Sequence, residues 1–202
     1  GSGAPCPSCG GDEVVKTAIH GFMHLDEVWR YCWNEEAGTI LPEPITDRAI
    51  NVWRNDSPGR MIAHYMQPHH PFVESDISTY LDPDNFGKNT DLSVWDQLRK
   101  GLVEKPRVWN AYLTNLKLAL ESVSRLLRNI EAGKVVITAD HGNSIGEWGL
   151  YGHYRGVPVR SQKAVPWCVT SAEDTEGYEP DIDRYRTDTD TRVEERLEAL
   201  GY

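Results

Sequence analysis

The sequence predicts an α/β fold in which a mostly parallel sheet is flanked by helices. Residues 135–139 form an apolar run without polar alternation, which is typical of a strand buried on both faces of a parallel sheet. A helical pattern begins at Pro106 and ends at Gly133, directly before this strand. Residues 164–169 are a second apolar segment and supply another strand. Helix, glycine and strand in this order indicate half of a βαβ crossover.

The remaining elements follow from local patterns along the chain. After Pro106, large apolar side chains recur every three or four residues, which predicts a helix packed on the sheet. The members of this stripe are Trp109, Leu113, Leu116, Leu120, Val123 and Leu127. The other expected elements are an irregular segment at 1–24, a helix at 46–53 with Thr46 as N-cap, a strand at 60–66, a surface loop at 76–89, a short helix at 91–103 and an amphipathic closing helix at 191–200.

Length, composition and charge indicate one acidic domain, at residues 25–202. The net charge of −10 argues against a nucleic-acid partner, because binding to phosphates requires clustered Lys and Arg. No apolar run approaches the ~20 residues of a membrane span, and no signal peptide opens the sequence, so a cytoplasmic location is expected. The acidity resembles that of proteins from salt-loving archaea and suits a high-salt interior; an ordinary acidic cytosolic protein is the alternative.

Four cysteines are too few and too scattered to form a disulfide framework. Cys6 and Cys9 form a C-x-x-C knuckle within residues 1–24, which is half of a zinc ribbon. The second pair is missing, because Cys32 and Cys168 stand singly. An ordinary N-terminal segment is therefore favoured over a metal or redox site.

An Asp-His pair follows the apolar run at 135–139. Asp140 and His141 are adjacent, and Gly142 and Asn143 continue the turn. In open α/β sheets ligands bind just beyond the carboxyl ends of the strands. A carboxylate oxygen and an imidazole nitrogen suit a divalent cation such as zinc or manganese. The alternative is that Asp140 caps the turn and His141 forms a local hydrogen bond.

A second histidine-rich turn ends the strand predicted at 60–66. His64 lies in that strand, and His69 and His70 lie in the turn after it. Two prolines, Pro68 and Pro71, end the strand because proline cannot donate to a ladder. Histidine is only an occasional occupant of protein cores, so three within seven residues favour a functional role over a structural one.

The order of these motifs resembles the alkaline phosphatase superfamily, and within it the sulfatase and phosphoglycerate-mutase-like branches. Those proteins carry an (S/T)-x-D-H-G-(E/N) turn, then G-E, a downstream histidine and a V-P strand. Thr138–Asn143, Gly146-Glu147, His153 and Val165-Pro166 follow that order here. Residues 68–71 match the P-H-x-P turn of sulfatases, and Tyr112 and Asn115 lie on a helix that precedes the D-H-G strand in the family.

The resemblance implies a metal-dependent hydrolase of sulfate or phosphate esters. It implies that Asp140 and His141 bind a divalent metal, which would be zinc, manganese, calcium or magnesium. His69 and His153 would be catalytic, and His69, His64 and Lys163 would contact an anionic ester substrate, either a glycan or a lipid-linked group. His64, His69 or His70 could also supply nitrogen ligands.

The resemblance covers residues 25–202 and corresponds to the C-terminal part of a typical family member. The apolar strand that ends in a metal-binding Asp, and the Ser, Thr or modified Cys nucleophile after it, find no match in residues 1–24. The sequence therefore predicts an incomplete hydrolase. One alternative is a catalytically silent module that binds an anion or glycan, and another is a phosphoglycerate-mutase-like phosphotransferase, which the Asn143 variant of the turn resembles.

Overall fold

The structure, a computed structural model, describes residues 22, 24–75, 77, 93–154 and 156–185. The helices are α1 (Pro42–Asp56), α2 (Val94–Arg99), α3 (Lys105–Leu127) and α4 (Arg160–Lys163). The strands are β1 (Trp33–Asn34), β2 (Thr39–Ile40), β3 (Ala132–Thr138), β4 (Ser144–Ile145), β5 (Tyr151–Gly152) and β6 (Trp167–Ala172). The closing helix expected at 191–200, and nearly all of the segment expected at 1–24 and of the loop at 76–89, lie outside the described residues.

The prediction of a mostly parallel sheet is wrong. The described strands form three separate two-stranded sheets, β1–β2, β3–β6 and β4–β5, and all three are antiparallel. In the longest pair Thr138 lies opposite Trp167 and Ala132 opposite Ala172. One face of the described β3–β6 sheet is exposed to solvent: Trp167 and Val169, two positions apart on that face, are 70% and 56% exposed. The apolar run at 135–139 does not mark a strand buried on both faces.

The direction of β6 follows from the connection that precedes it. A parallel neighbour needs a crossover, usually a helix, that carries the chain back to the starting end of the first strand. Between β3 and β6 the described residues contain the short β4–β5 hairpin and α4, a helix of four residues. The chain therefore re-enters the sheet at the end where β3 finished and runs back along it. An apolar run predicts a strand but carries no information on its direction.

Two expected elements differ in the segment from Pro42 to Gln67. Helix α1 begins at Pro42, so Thr46 is not its N-cap. Thr46 is buried inside the helix, and its hydroxyl lies 2.8 Å from the Tyr65 hydroxyl. Residues 61–66 are not a strand. Side-chain hydrogen bonds fix this segment instead. One is the bond between the Tyr65 and Thr46 hydroxyls, and in another the buried Gln67 donates from Nε2 to the Ile40 carbonyl at 2.9 Å.

Helix α3 buries a different face from the expected one. Trp109 and Leu120, in the predicted stripe, are 45% and 44% exposed. The buried positions are Val108, Asn115, Ala119, Ser122 and Leu126. Small and polar side chains occupy that face because α1 packs closely against α3 and because Asn115 makes hydrogen bonds there.

Two apolar clusters form the described core. The first joins α2, the start of α3, the turn after Gln67 and the β4–β5 hairpin, and its members include Phe72, Val94, Trp95, Val108 and Ile145. The second joins α1, the end of α3 and the β3–β6 sheet, and its members are Ala49, Ile50, Leu126, Ile130 and Ala172. The first cluster anchors both histidine-bearing turns in the core, because Phe72 follows the turn with His69 and Ile145 follows the turn with His141.

The segment after β6 is fastened to α1 by polar contacts. Arg54 of α1 donates from Nε and Nη2 to the two carboxylate oxygens of Asp174, both at 2.9 Å. Asp47 is 1% exposed and accepts from the hydroxyls of Tyr178 at 2.8 Å and Tyr185 at 2.7 Å. These bonds satisfy a buried carboxylate that would otherwise destabilise the fold.

None of the described helices combines the length and the apolar character that crossing a bilayer requires.

Ionisation of the two tyrosines should weaken the fold at high pH. Burial, and then the hydrogen bond to Asp47, raise the pKa of Tyr178 to about 12 and raise the pKa of Tyr185 as well. Free tyrosine ionises near pH ~10, so this stabilisation is complete below that pH and is lost as the pH rises through about 12. Urea unfolding near neutral pH and at about pH 11 should show a smaller alkaline loss in the Tyr178→Phe/Tyr185→Phe variant than in wild type. The exposed Tyr154→Phe is the control, and an equal loss in all three proteins would contradict the assignment.

Candidate functional site

Three histidines from separate segments meet at one place. The His141 and His153 ring centroids lie 4.0 Å apart, and the His69 centroid lies 6.3 Å from that of His153. We call His69, His141 and His153 the imidazole cluster. His69 belongs to the turn after Gln67, His141 follows β3, and His153 follows β5. The carboxylate of Asp140 adjoins the cluster, with Oδ2 3.6 Å from His141 Nε2.

The three imidazoles share one hydrogen-bonding arrangement. The Nδ1 of His69 contacts the His70 carbonyl, the Nδ1 of His141 lies 3.1 Å from the Gly142 carbonyl, and the Nδ1 of His153 lies 3.0 Å from Asn143 Oδ1. Each oxygen is an acceptor, so each Nδ1 carries the proton and donates it. The Nε2 of each ring then holds the lone pair of the neutral form. Each ring of the cluster therefore has an Nε2 atom that can accept a proton or bind a cation.

Burial favours the neutral form of His69 and of His153. It lowers the pKa of His69 and of His153, and the neighbouring imidazoles lower the pKa of His153 further. His70 stacks on His69 at a centroid distance of 4.3 Å, and burial lowers the pKa of His70 to about 3. His70 is 8% exposed, its Nδ1 has no hydrogen-bond partner, and its ring lies edge-on to Trp95. His70 is therefore part of the wall behind the cluster.

Asn115 fixes the turn that carries His69. Its side chain is 1% exposed, and Nδ2 donates to the carbonyls of His69 and Pro71, both at 3.0 Å. Its Oδ1 accepts the backbone N–H of Val73 at 2.9 Å. One amide thus satisfies three backbone groups of a turn that has no sheet to pair with. From the sequence, Asn115 was singled out only through the family resemblance. The feature that could have revealed its role is its position as a polar residue on the face of α3 that is buried in the fold.

Gln162 of α4 fixes the segment that carries His141 and His153. It is 2% exposed; Nε2 donates to Ser144 Oγ at 2.9 Å, and Oε1 accepts the N–H of Tyr154 at 3.0 Å. Its backbone carbonyl accepts the N–H of Gly142 at 3.0 Å. At Gly142 a Cβ would lie 2.2 Å from the Ser161 carbonyl oxygen, so this approach requires glycine. Gln162 was missed because its partners, Gly142, Ser144 and Tyr154, lie between 8 and 20 positions away in sequence.

Asp140 and His141 fit two ligands of one cation. The Asp140 side chain is 70% exposed, and its Oδ1 accepts the His141 N–H at 2.9 Å. Bonds of about 2.0–2.2 Å at a tetrahedral angle separate two ligand atoms by roughly 3.3–3.6 Å. The observed 3.6 Å between Oδ2 and Nε2 agrees with this separation. Within the described parts of the chain, however, no group of three or more His, Cys, Asp or Glu side chains is arranged to hold a metal ion.

Two predicted substrate contacts lie apart from the cluster. His64 is exposed on the segment before Gln67, and Lys163 is exposed at the end of α4. None of the contacts found among the described residues joins either side chain to His69, His141 or His153. The structure thus brings together His69, Asp140, His141 and His153, and leaves His64 and Lys163 outside.

Comparisons with known proteins returned no match, either in a scan against protein-family models or in searches of curated proteins and of solved structures. The resemblance to the alkaline phosphatase superfamily therefore stays a prediction from the motifs.

Replacing Asn115 should detach the His69 turn from α3. Asn115→Leu leaves the His69 and Pro71 carbonyls and the Val73 N–H without their partner, which should lower the free energy of unfolding by about 2–4 kcal/mol. Asn110→Leu changes an exposed position of the same helix and should shift it by less than about 0.5 kcal/mol. Urea unfolding measures both, and equal effects would contradict the role of Asn115.

A methyl group at Gly142 should displace the His141 segment from α4. Gly142→Ala places Cβ against the Ser161 backbone, and overpacking of this kind costs about 1–3 kcal/mol. Gly133→Ala, in β3, meets no atom within 4 Å and is the matched control. Thermal unfolding should show a lower Tm for Gly142→Ala only; an unchanged Tm would mean that this close approach does not stabilise the loop.

Proposed function

We propose that this chain hydrolyses sulfate or phosphate esters at the imidazole cluster, with a divalent cation bound by Asp140 and His141. The observation that carries the proposal is the convergence of three Nδ1-anchored imidazoles and one exposed carboxylate, drawn from turns about seventy residues apart in sequence. Such a concentration of groups that bind cations and transfer protons is typical of hydrolytic sites.

Each imidazole has a separate task in this proposal. His153, on the exposed side, returns a proton to the leaving oxygen when protonated, and Asn143 holds its ring by the Nδ1 bond at 3.0 Å. His69, the more buried ring, accepts a proton through Nε2 from the water molecule that attacks the ester. His141 and Asp140 would hold the cation, which would be zinc, manganese, calcium or magnesium. Once bound, such a cation neutralises charge on the ester and polarises it toward attack.

The substrate partner in this proposal is a small anionic ester. The chain carries a net charge of −10, so an approaching anion is repelled except where positive charge is concentrated. The cation at Asp140 and His141 would provide that local charge, because neutral imidazoles cannot. This requirement links substrate binding to cation binding. The glycan or lipid-linked nature of the ester remains an expectation from the resemblance.

A second candidate is a module that binds the anion without hydrolysing it. It is favoured by the finding that, in the described part of the chain, only two donors have the separation of metal ligands. A weakly held cation would then serve to bind the oxyanion. Both candidate functions predict that the ester binds only when the cation is bound, but only the hydrolase predicts that the ester is then hydrolysed.

Zinc binding and ester hydrolysis test the proposal together. Calorimetric titration with Zn²⁺ should show binding that Asp140→Asn weakens by about tenfold or more, whereas Asp56→Asn, an exposed position at the end of α1, should leave it unchanged. With Zn²⁺ bound, para-nitrophenyl phosphate or sulfate should be hydrolysed, and His153→Ala should slow the turnover about a hundredfold or more.

The outcomes separate the candidates. Zinc-dependent binding of the ester without turnover supports the silent module and rules out the hydrolase for this chain. If wild type and Asp140→Asn bind zinc equally well, Asp140 is not a metal ligand, and both candidate functions are contradicted.

A further inference from the structure

We propose that β6 pairs in the antiparallel direction with β6 of a second copy of this chain, so that two β3–β6 sheets join into one sheet of four strands. The outer edge of β6 is thus a docking surface for an identical chain, and the protein forms a weak symmetric dimer. This surface takes no part in the proposed ester chemistry, so the inference does not depend on the proposed function.

The outer edge of β6 has no backbone partner in the described part of the chain. β3 pairs with one side of β6, and no other described strand pairs with Trp167–Ala172. The backbone hydrogen bonds that lie outside the helices and sheets of the described residues also include none of these six positions. The N–H and C=O groups that point away from β3 are therefore available to another strand.

β6 lacks the features that normally protect an edge strand. Proteins protect such edges with charged side chains, proline or bulges. β3 has two of these features, because it carries Lys134 and an extra residue between Ala132 and Val135. β6 has neither a charged residue nor a proline, and its Trp167 and Val169 are exposed. An apolar, exposed edge without such protection is a site of strand pairing.

Charges at the two ends of β6 favour an identical partner in the antiparallel direction. Lys163 is exposed before the strand, and Glu173 is exposed directly after it. The ion pairs found between described residues include neither side chain. In an antiparallel pair the start of one β6 lies beside the end of the other, so Lys163 of each copy approaches Glu173 of the other. A parallel pair would bring like charges together instead.

The net charge also selects this surface. Two chains that each carry a net charge of −10 repel each other, and they approach with least repulsion where a surface carries no charge, as along β6. Two strands alone make a marginally stable sheet, and three or more are usually needed, so pairing stabilises the β3–β6 sheet. An edge of six residues gives a contact below about 1,200 Å² in total, which is typical of weak complexes. Dimerisation should therefore depend on protein concentration.

Charge reversal at the two ends of β6 tests the orientation. Sedimentation equilibrium between about 5 and 500 µM protein should show the full chain passing from monomer to dimer. Lys163→Glu and Glu173→Lys should each raise the dimer Kd about threefold or more, and the double variant Lys163→Glu/Glu173→Lys should restore it. The two single variants change the net charge in opposite directions, so an effect of net charge alone would strengthen the dimer in one of them.

A lysine within the strand tests the location. Val169→Lys should raise the dimer Kd about tenfold or more, because it places a charge on the unprotected edge strand. Ile62→Lys, at a 76% exposed position before Gln67, is the matched control and should leave the Kd unchanged. Amide hydrogen exchange at high protein concentration should show slower exchange of the β6 amides that point away from β3 in wild type than in Val169→Lys. Both variants replace exposed side chains, and equal urea unfolding would verify that both are folded.

Each alternative outcome contradicts the proposal. A protein that stays monomeric over this range has no such dimer. A dimer that Val169→Lys leaves intact uses another surface, and a dimer that the double charge reversal does not restore is not antiparallel. If the outward β6 amides are protected to the same degree at low and high concentration, another part of the same chain covers the edge.

Discussion

The position of His69 depends on one buried amide. Asn115 pairs with two carbonyls and one N–H of the turn at residues 69–73, and these backbone groups have no strand to bond with. In a segment rich in proline, backbone pairing is not available, so a side chain from α3 replaces it. The buried Gln162 performs the same task for the segment with His141 and His153. Two amides thus fix two loops, and the loops bring the imidazoles together.

The acidic composition and the imidazole cluster are consistent when the rings are neutral. Burial lowers the pKa of His69 and of His153, and the oxygen acceptor at each Nδ1 leaves the lone pair of the neutral ring on Nε2. A protein with a net charge of −10 then needs a cation to attract an anionic ester. Among the described residues, Asp140 supplies the carboxylate that adjoins the cluster, and its side chain is 70% exposed.

Sequence patterns indicated which side chains lie close together better than they indicated the architecture. Asp140, His141 and His69 were recognisable because strand ends and proline turns are local signals, and the structure brings these residues close to His153. The sheet direction was not recognisable, because an apolar run is the same in a parallel and an antiparallel strand. His64 and His69 looked equivalent in sequence; only the turn held by Asn115 carries His69 inward and leaves His64 exposed.

The central claim is that His69, His141 and His153 lie together at one site, where Asp140 and His141 bind a divalent cation. Proton–nitrogen correlation spectra of the histidine side chains, recorded during a Zn²⁺ titration, test it most directly. The account predicts that Zn²⁺ binds through Nε2 of His141 and shifts the resonances of the neighbouring His69 and His153 rings, while the Nδ1 atoms stay protonated and the rings of His24 and His64 are unchanged. Shifts at His24 or His64 equal to those of the cluster, or Zn²⁺ bound through Nδ1, would contradict it.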